Sequence, residues 1–299
     1  MTLSQQGRSE RKFFMSDTYT YRYGFFGAGN MGSAMIGGLL SAGLAEKEQV
    51  IASVKSEESR DRISGTFGIH TVCDTAQACN AKILILAVKP YQFDQVLPTV
   101  QKLLNPDQIL ISVAAGKTLA EIENAVMNVR VAGFLKAARV MPNTPALVGE
   151  SMSAVSFNSN FSDEDKKKVM ELFSSFGRAE EVPESMMDAV TGVSGSSPAF
   201  VYMMIEAMAD AAVAEGMPRA QAYTFAAQSV LGSAEMVLKT KKAPGELKDA
   251  VCSPGGTTIE GVCALESLGF RSAVIEGVRA AVEKSRELSG GASTDHAKS

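Results

Sequence analysis

Histidine and tryptophan are almost missing from this chain of 299 residues, which contains two histidines and no tryptophan. The histidines are His70 and His296, and they form no His/Cys or His/Asp cluster of the kind that binds a metal ion. The sequence therefore predicts no catalytic metal. It also offers no His–Asp dyad for acid–base chemistry.

Cysteine is also scarce, and the four cysteines show neither C-x-x-C spacing nor the density of a disulfide scaffold. They are interpreted as reduced core thiols. We therefore expect a reducing compartment, which favours the cytoplasm and leaves a mitochondrial location as the alternative. The four residues are Cys73, Cys79, Cys252 and Cys263.

The chain has no excess of basic residues and no long hydrophobic run. Its net charge of -4 argues against a nucleic-acid partner. No apolar stretch approaches the roughly 18 residues that cross a bilayer, so no membrane segment is predicted. With 45% hydrophobic residues, the composition suits a globular protein that binds a small molecule.

Residues 1–20 are polar and lack the apolar core of a signal peptide. They are predicted to be a disordered leader. Two alternatives stay open: a weak organellar presequence, indicated by Arg8, Arg11 and Lys12, or an extension ahead of a second start at Met15.

From Tyr21 to Val182 the chain alternates short β-rich runs with helical stretches, which predicts an α/β domain on a largely parallel sheet. Beyond position 182 the strand pattern stops, and residues 183–299 are predicted to be an all-α domain. The predicted strands are YRYGFF, QVIASV, GIHTV, AKILILAV, QILISVA, AARVM, SAVSF and RAEEV.

The segment Ala199–Glu215 predicts a helix that is apolar nearly all round, with polar residues only at Glu206, Asp210 and Glu215. A tail of this size cannot easily bury such a helix by itself. We therefore expect a homo-oligomer formed through the C-terminal half.

A glycine motif of the form G-x-G-x-x-G follows the first predicted strand and opens a helix. In that context it predicts a Rossmann-type dinucleotide-binding loop, with the pyrophosphate on the helix N-terminus. The motif residues are Gly27, Ala28, Gly29, Asn30, Met31 and Gly32.

The end of the second strand favours NADPH over NADH. NAD-selective sites usually place an acid there for the ribose hydroxyl, but this chain has no acid before Glu57. It offers instead hydroxyl and cationic groups for a 2′-phosphate, with NADH kept as an alternative cofactor. These groups are Ser53, Lys55, Ser56 and Arg60.

The acids that normally assist carbonyl reduction are missing. No tyrosine is followed by a lysine four residues later, and no lysine lies between Pro198 and Glu215. A cyclic imine needs less help, because its nitrogen is protonated near neutrality and the iminium accepts hydride. The missing acids therefore favour reduction of a C=N bond.

A second glycine-rich stretch, CSPGGTTIEG at residues 252–261, interrupts the helical half. Pro254 is expected to end one helix, and Gly255 and Gly256 permit unusual backbone angles. One interpretation is a plain turn in which Thr257 and Glu260 form a capping box. The other is a carboxylate site on exposed amide groups at a helix N-terminus.

Together these motifs resemble the pyrroline-5-carboxylate reductase family over about Tyr23 to Leu288. The resemblance is carried by FFGAGNMGSAMIGGL, ILAVKP, SVAAG, RVMPNTPA, AVTGVSGSSPAFVY and LKDAVCSPGGTTIEGVCALE. It implies NADPH-dependent reduction of 1-pyrroline-5-carboxylate to proline, the last step of proline biosynthesis. It also implies a homodimer through the C-terminal helices, with dimers often assembled into rings such as decamers.

The resemblance further implies particular site residues. Thr258 would hydrogen-bond the ring nitrogen as the catalytic residue, and the substrate carboxylate would meet Ser253, Gly255, Gly256, Thr257 and Thr258. Besides the glycine motif, Ser53 and Lys55, the implied cofactor contacts are Val88, Lys89, Pro90, Ala114, Ala115 and Asn143.

The chain departs from the family pattern at three places. Ser197 and Phe200 replace a glycine and a tyrosine of the usual S-G-S-G-P-A-Y, Asp74 stands where members often have an asparagine, and Lys241 where some have a glutamate. These departures leave fine specificity open. The alternatives are a reductase of a related ring, such as piperideine-2-carboxylate, and a cofactor-binding scaffold without catalysis.

Overall fold

The structure is a computed structural model that describes residues 19–290, except for the side chains of Pro90 and Asp94. His296 and the predicted leader up to position 18 lie outside the described residues. The chain divides into two compact units, residues 19–190 with 288–290 and residues 191–287. The boundary predicted at 182/183 stays a prediction.

The last two residues of the predicted leader form hydrogen bonds with the first unit. Tyr19 is buried, and its hydroxyl donates a hydrogen bond to Asp107 Oδ1 at 2.5 Å. The side chain of Thr20 accepts one from Asn80 Nδ2 at 2.7 Å. Tyr19 and Thr20 are therefore tied to the first unit, and the leader predicted for the residues before them stays a prediction.

The first unit is built on an eight-stranded sheet in the order β3-β2-β1-β4-β5-β6-β7-β8. Every strand predicted from the sequence is present, and the predicted α/β Rossmann-type architecture is confirmed. The strands β1 to β8 span Tyr21–Phe26, Val50–Ser53, His70–Val72, Ala81–Leu86, Ile109–Ser112, Lys136–Met141, Ser151–Phe157 and Gly177–Glu181.

All neighbouring strands run parallel except β6 and β7, which pair antiparallel. The reason lies in their connection. Only a short 3-10 segment, Thr144–Val148, separates the two strands, and a parallel pair would need a longer crossover. The sheet is therefore largely parallel, as predicted, with one reversal near its edge.

Helices cover both faces of this sheet, and each face carries its own cluster of buried apolar side chains. Side-chain caps fix several helix starts: Ser56 caps α2, and Ser162 caps α6 ahead of three acidic residues. The helices α1 to α7 span Asn30–Ser41, Glu57–Phe67, Thr75–Ala78, Phe93–Leu103, Leu119–Val126, Asp163–Ser174 and Met187–Val190.

The second unit is helical and begins with a π-helical turn at Thr191–Gly195. Tyr202 and Met203 of its first helix are 60% and 68% exposed in the single chain. The apolar helix predicted from the sequence is thus present, and the described residues leave part of its apolar surface uncovered. The helices α8 to α12 span Ser197–Ala214, Arg219–Thr240, Pro244–Val251, Thr257–Ser267 and Phe270–Leu288.

Among residues 19–290, none of the helices combines the length and the hydropathy that crossing a bilayer requires.

Candidate active site

The first glycine loop joins β1 to α1 at the point where the strand order reverses, between β1 and β4. Ligands of open α/β sheets bind outside the carboxyl ends of the strands at such a point. Gly27 makes the turn with a φ of +94°, a conformation that disfavours any side chain. Its amide donates to the carbonyl oxygen of Ser53 at 2.8 Å, which ties the loop to the end of β2.

The other two motif glycines have different roles. A Cβ on Gly32 would lie 2.4 Å from the Gly27 carbonyl oxygen, so only glycine lets α1 approach the loop this closely. A Cβ on Gly29 would meet nothing within 4 Å, because the backbone there borders open space. Gly29 is also the N-cap of α1, which has no side-chain cap and no acid in its first turn. The amide groups that begin α1 are therefore available to an anion.

A cavity of about 400 Å³ opens beside this loop. Three of its lining side chains are cationic, Lys55, Arg62 and Lys89, and none is a carboxylate. This charge balance contrasts with the net charge of -4 for the whole chain. A dinucleotide with several phosphates fits both the loop and this donor set. The other lining residues are Phe26, Gly27, Ala28, Gly29, Ser53, Val54, Ser59, Cys73, Thr75, Ala87, Val88, Gln92, Gln95 and Val96.

The structure changes the set of groups expected at the end of β2. Ser53 and Lys55 line the cavity, but Ser56 is the N-cap of α2. Arg60 points elsewhere and pairs with Glu57 and Asp61. Neither Ser56 nor Arg60 is part of the cavity lining, and their contact with a 2′-phosphate stays a prediction.

Ser59 and Arg62 take their place in the lining. They lie three residues apart on α2, which puts them on one face of the helix. That spacing after Lys55 is a signal present in the sequence, although it belongs to no motif named above.

The remaining predicted cofactor residues lie near the loop or follow other strands at the same sheet edge. Asn30, Met31 and Gly32 form the first turn of α1 and are not part of the cavity lining. Val88 and Lys89 line the cavity after β4. Pro90 begins the 3-10 turn that follows them, and its side chain lies outside the described residues.

Three further predicted contacts follow β5 and β6. Ala114 is buried, and Ala115 next to it is exposed. The side-chain oxygen of Asn143 accepts from the amide of Met152 at 3.0 Å. None of the three lines the cavity. Their contact with a cofactor stays a prediction.

The second glycine loop lies between α10 and α11 in the second unit. Gly255 has a φ of +66°, the left-handed conformation that favours glycine. Gly256 has ordinary angles, but a Cβ there would lie 2.4 Å from Ser253 Oγ and 3.2 Å from the Ser253 carbonyl oxygen. The loop therefore needs both glycines, each for a different physical reason.

The capping box expected from Thr257 and Glu260 does not form. The N-cap of α11 is Gly256, and no side chain caps the helix. Thr257 is thus the first helical residue, so its hydroxyl is not directed at the amide of residue 260 as the pattern predicts. The amides of Thr257 and Thr258 have no acceptor within the helix. An uncapped N-terminus preceded by glycine is a feature that α11 shares with α1.

Thr258 and Ser253 are exposed in the single chain, and within the described residues the Thr258 side chain makes no hydrogen bond. Its hydroxyl is therefore available to a ligand. The arrangement joins backbone donors to one free hydroxyl at a helix N-terminus, which suits a carboxylate next to a hydrogen-bonding nitrogen.

Two departures from the family pattern have structural roles of their own. Asp74 is the N-cap of α3, and its carboxylate accepts from the amide of Ala76 at 2.9 Å. Lys241 ends α9 with a φ of 57°, a left-handed conformation that is uncommon outside glycine. Neither side chain lines the cavity beside the first loop.

The cysteines near this cavity differ in environment. Cys73 is exposed and lines the cavity, whereas Cys79 is buried. Burial, with a smaller contribution from Asp74, raises the pKa of the Cys79 thiol to about 12. The prediction of core thiols is thus right for Cys79 and wrong for the exposed Cys73 and Cys263.

The strand order, the glycine loop and the cationic cavity define the first unit as a Rossmann-type dinucleotide-binding domain. Two family models match the chain. Residues 22–116 match "NADP oxidoreductase coenzyme F420-dependent" and residues 184–288 match "Pyrroline-5-carboxylate reductase dimerisation". The chain belongs to the pyrroline-5-carboxylate reductase family.

Its relatives cover nearly the whole chain. It is 48% identical to the pyrroline-5-carboxylate reductase of Escherichia coli over 269 residues, which are 90% of this chain and 98% of that protein. It is 45% identical to the reductase of Methanosarcina acetivorans over 268 residues, 89% of this chain and 97% of that one. A crystal structure of the Plasmodium falciparum pyrroline carboxylate reductase with NADP bound matches with a TM-score of 0.80 and 33% identity, covering 91% of this chain and 99% of that chain.

Proposed function

We propose that this protein reduces 1-pyrroline-5-carboxylate to L-proline with NADPH, the last step of proline biosynthesis. The observation that carries the proposal is membership of the reductase family over nearly the full length of both chains, with both glycine loops intact.

NADPH, when bound, supplies the hydride for the imine carbon. The amide groups at the start of α1 bind its pyrophosphate, and Gly29 leaves room for the backbone to approach it. Lys55 and Lys89 offset phosphate charge at the rim of the cavity. The absence of a lining carboxylate favours NADPH, because a 2′-phosphate would be repelled by an acid in the place that NAD-selective sites give it.

The loop from Ser253 to Thr258 holds the substrate. The substrate carboxylate accepts hydrogen bonds from amide groups at the N-terminus of α11, where the helix dipole favours negative charge. The hydroxyl of Thr258 hydrogen-bonds the ring nitrogen. The protonated imine already accepts hydride, so these residues need to orient the ring and hold its proton, and no stronger acid is required.

The helical unit also forms the homodimer in this proposal. The apolar residues of α8 that the single chain leaves exposed are suited to burial by a second copy. Further assembly into rings such as decamers stays a prediction from the family resemblance, and a cytoplasmic location, with mitochondria as the alternative, stays a prediction from cysteine usage.

The test follows NADPH oxidation by its absorbance with 1-pyrroline-5-carboxylate for wild type, Thr258→Ala and Thr258→Ser. Loss of a positioned donor should lower kcat by about 10- to 100-fold in Thr258→Ala. Thr258→Ser keeps the hydroxyl and should retain most activity. NADPH affinity, measured by fluorescence titration, should be equal in all three.

Other outcomes point to the alternatives. Faster turnover of piperideine-2-carboxylate would favour the related six-membered ring as substrate. Tight NADPH binding without turnover of either imine would favour a cofactor-binding scaffold. Equal activity in wild type and Thr258→Ala would remove Thr258 from the catalytic role.

A further inference from the structure

The three cations that line the first cavity have no carboxylate partner in the part of the chain that the structure describes. Within the described residues, Lys55, Arg62 and Lys89 form no ion pair. Other cations of the same region do find partners, as Arg60 does with Glu57 and Asp61. Three unpaired cations around one cavity indicate an anionic ligand with more than one charged group.

The two arginines of helix α2 lie on different faces of the helix and have different partners. Arg60 lies on the face with Glu57 and Asp61, and its guanidinium nitrogens are 3.0 Å from a carboxylate oxygen of each. Arg62 lies on the face with Ser59, and both line the cavity. The two arginines are only two residues apart in sequence, but they point in different directions around the helix axis. That direction determines which of them can contact a ligand in the cavity.

The guanidinium of Arg62 lies beside the glycine loop. Its Nη2 is 3.5 Å from the carbonyl oxygen of Ala28, a long contact that engages one of five N–H donors. The remaining donors can form the paired hydrogen bonds with which guanidinium groups bind phosphate. Lys55, which immediately precedes the Ser56 cap of α2, adds a second charge to the same lining.

We propose that Arg62, assisted by Lys55 and the Ser59 hydroxyl, binds the 2′-phosphate of NADPH and sets the preference for NADPH over NADH. This inference rests on the proposed function, which places NADPH in this cavity. Arg62 lies on the helix after β2, outside the glycine motif and outside every motif that carries the family resemblance.

A purely structural role for Arg62 makes a different prediction. If Arg62 only supports the Ala28 carbonyl, its loss would loosen the glycine loop, which both cofactors share. NADPH and NADH would then be affected equally. If Arg62 binds the 2′-phosphate, only NADPH, which carries that group, would be affected.

The experiment compares kcat/KM for NADPH and for NADH, with 1-pyrroline-5-carboxylate as substrate, in wild type and three variants. Arg62→Ala should lower the NADPH value by about 10- to 100-fold, as expected for a charge-assisted contact, and leave the NADH value within about twofold. Arg62→Lys keeps the charge without the paired geometry and should lie between wild type and Arg62→Ala. Arg60→Ala is the matched control, from the paired face of the same helix, and should keep the wild-type preference.

An equal loss for both cofactors in Arg62→Ala, or an unchanged ratio, would overturn the inference. Calorimetric titration with adenosine 2′,5′-bisphosphate and with AMP separates this failure from failure of the proposed reaction, because it requires no imine. If Arg62→Ala binds the bisphosphate more weakly than wild type does and binds AMP equally well, the inference is supported even when no imine is reduced. If the wild type is active and Arg62→Ala binds the bisphosphate as tightly as wild type does, the inference about Arg62 is wrong. The proposed reaction is then unaffected.

Discussion

Gly32 and Gly27 are in backbone contact across the first glycine loop: a Cβ on Gly32 would lie 2.4 Å from the Gly27 carbonyl oxygen. That oxygen belongs to the backbone, so it cannot move aside as a flexible side chain would. The start of α1 and the turn after β1 are thereby held at one separation. The geometry of the pyrophosphate site depends on this contact.

Gly32→Ala should therefore damage both the fold and cofactor binding. The added methyl pushes α1 away from the loop, and we expect a lower Tm together with at least about tenfold weaker NADPH binding. Thermal unfolding and fluorescence titration measure the two effects. Gly29→Ala is the comparison, because its Cβ meets nothing in the protein. It should weaken NADPH binding by occupying the ligand's side of the loop and leave Tm unchanged, and wild-type affinity in both variants would contradict a phosphate site here.

Gly256→Ala should damage the substrate loop selectively. Its Cβ would lie 2.4 Å from Ser253 Oγ and 3.2 Å from the carbonyl oxygen of the same residue, so the Ser253 side chain has to rotate away and the loop backbone has to shift slightly. We expect KM for 1-pyrroline-5-carboxylate to rise by about tenfold or more, as for lost charge-assisted hydrogen bonds, while NADPH affinity is preserved. Gly261→Ala on α11, whose Cβ meets nothing within 4 Å, serves as control and should not raise KM. An unchanged KM in Gly256→Ala would argue against a carboxylate site at this loop.

NADPH should protect Cys73 from alkylation. Its thiol is exposed at the wall of the cavity, so a bound dinucleotide would cover it. Cys79 should react slowly with or without cofactor, because it is buried and its thiol pKa is raised to about 12. Iodoacetamide labelling at pH 8, read out by mass spectrometry of the two peptides, checks both statements. If saturating NADPH does not reduce the labelling of Cys73, the cofactor binds outside this cavity.

Asp165 should contribute stability at neutral pH that disappears in acid. Burial raises its pKa, but hydrogen bonds from Lys136 Nζ at 2.6 Å and Ser162 Oγ at 2.9 Å outweigh burial and hold the pKa of this carboxyl below its ordinary value. Because the folded pKa lies below the unfolded value of about 4, the contribution is fully present above about pH 4 and is lost as the pH falls through the folded pKa. Asp165→Asn should therefore lower Tm at pH 7. The difference in Tm between wild type and variant should become smaller below about pH 3. A deficit independent of pH would show that packing, and not ionisation, is responsible.

Met203→Glu should weaken the homodimer. Met203 is 68% exposed in the single chain and lies on the apolar helix α8, so a charge there would be buried without a partner on association. We expect a shift toward monomer in sedimentation at micromolar concentration. Lys239→Glu on α9 is a control at an exposed polar position that already pairs with Glu235. A dimer unaffected by Met203→Glu would place the interface on another face.

Local features of the first unit could be predicted because they depend on neighbouring residues. Short β-rich apolar runs between helical stretches predict all eight strands, and Ser162 followed by three acids predicts the start of α6. The G-x-G-x-x-G motif is equally local, since a turn with positive φ and a close helix approach require glycines at fixed spacing.

The differences concern the shape of a loop and the direction of side chains around a helix, which residue spacing alone does not show. Thr257 fits a capping-box pattern, but Gly256 and the Ser253 backbone shape the loop so that α11 begins one residue earlier than that pattern requires. Arg60 fits a phosphate contact by proximity to β2, but Glu57 and Asp61 engage it on the far side of α2.

The sequence by itself determined the two-part organisation, the parallel strands with their glycine loop, and the second loop with its two glycines. Each of these follows from residue spacing, hydrophobic period or the absence of a side chain, all of which act over a few residues. Only the tertiary structure decided that β4 lies beside β1, that β7 runs antiparallel to β6, and that Arg62 rather than Arg60 faces the cavity. The physical reason is that sheet order and helix phase are set by how whole elements pack, and packing brings together residues that are distant in the chain.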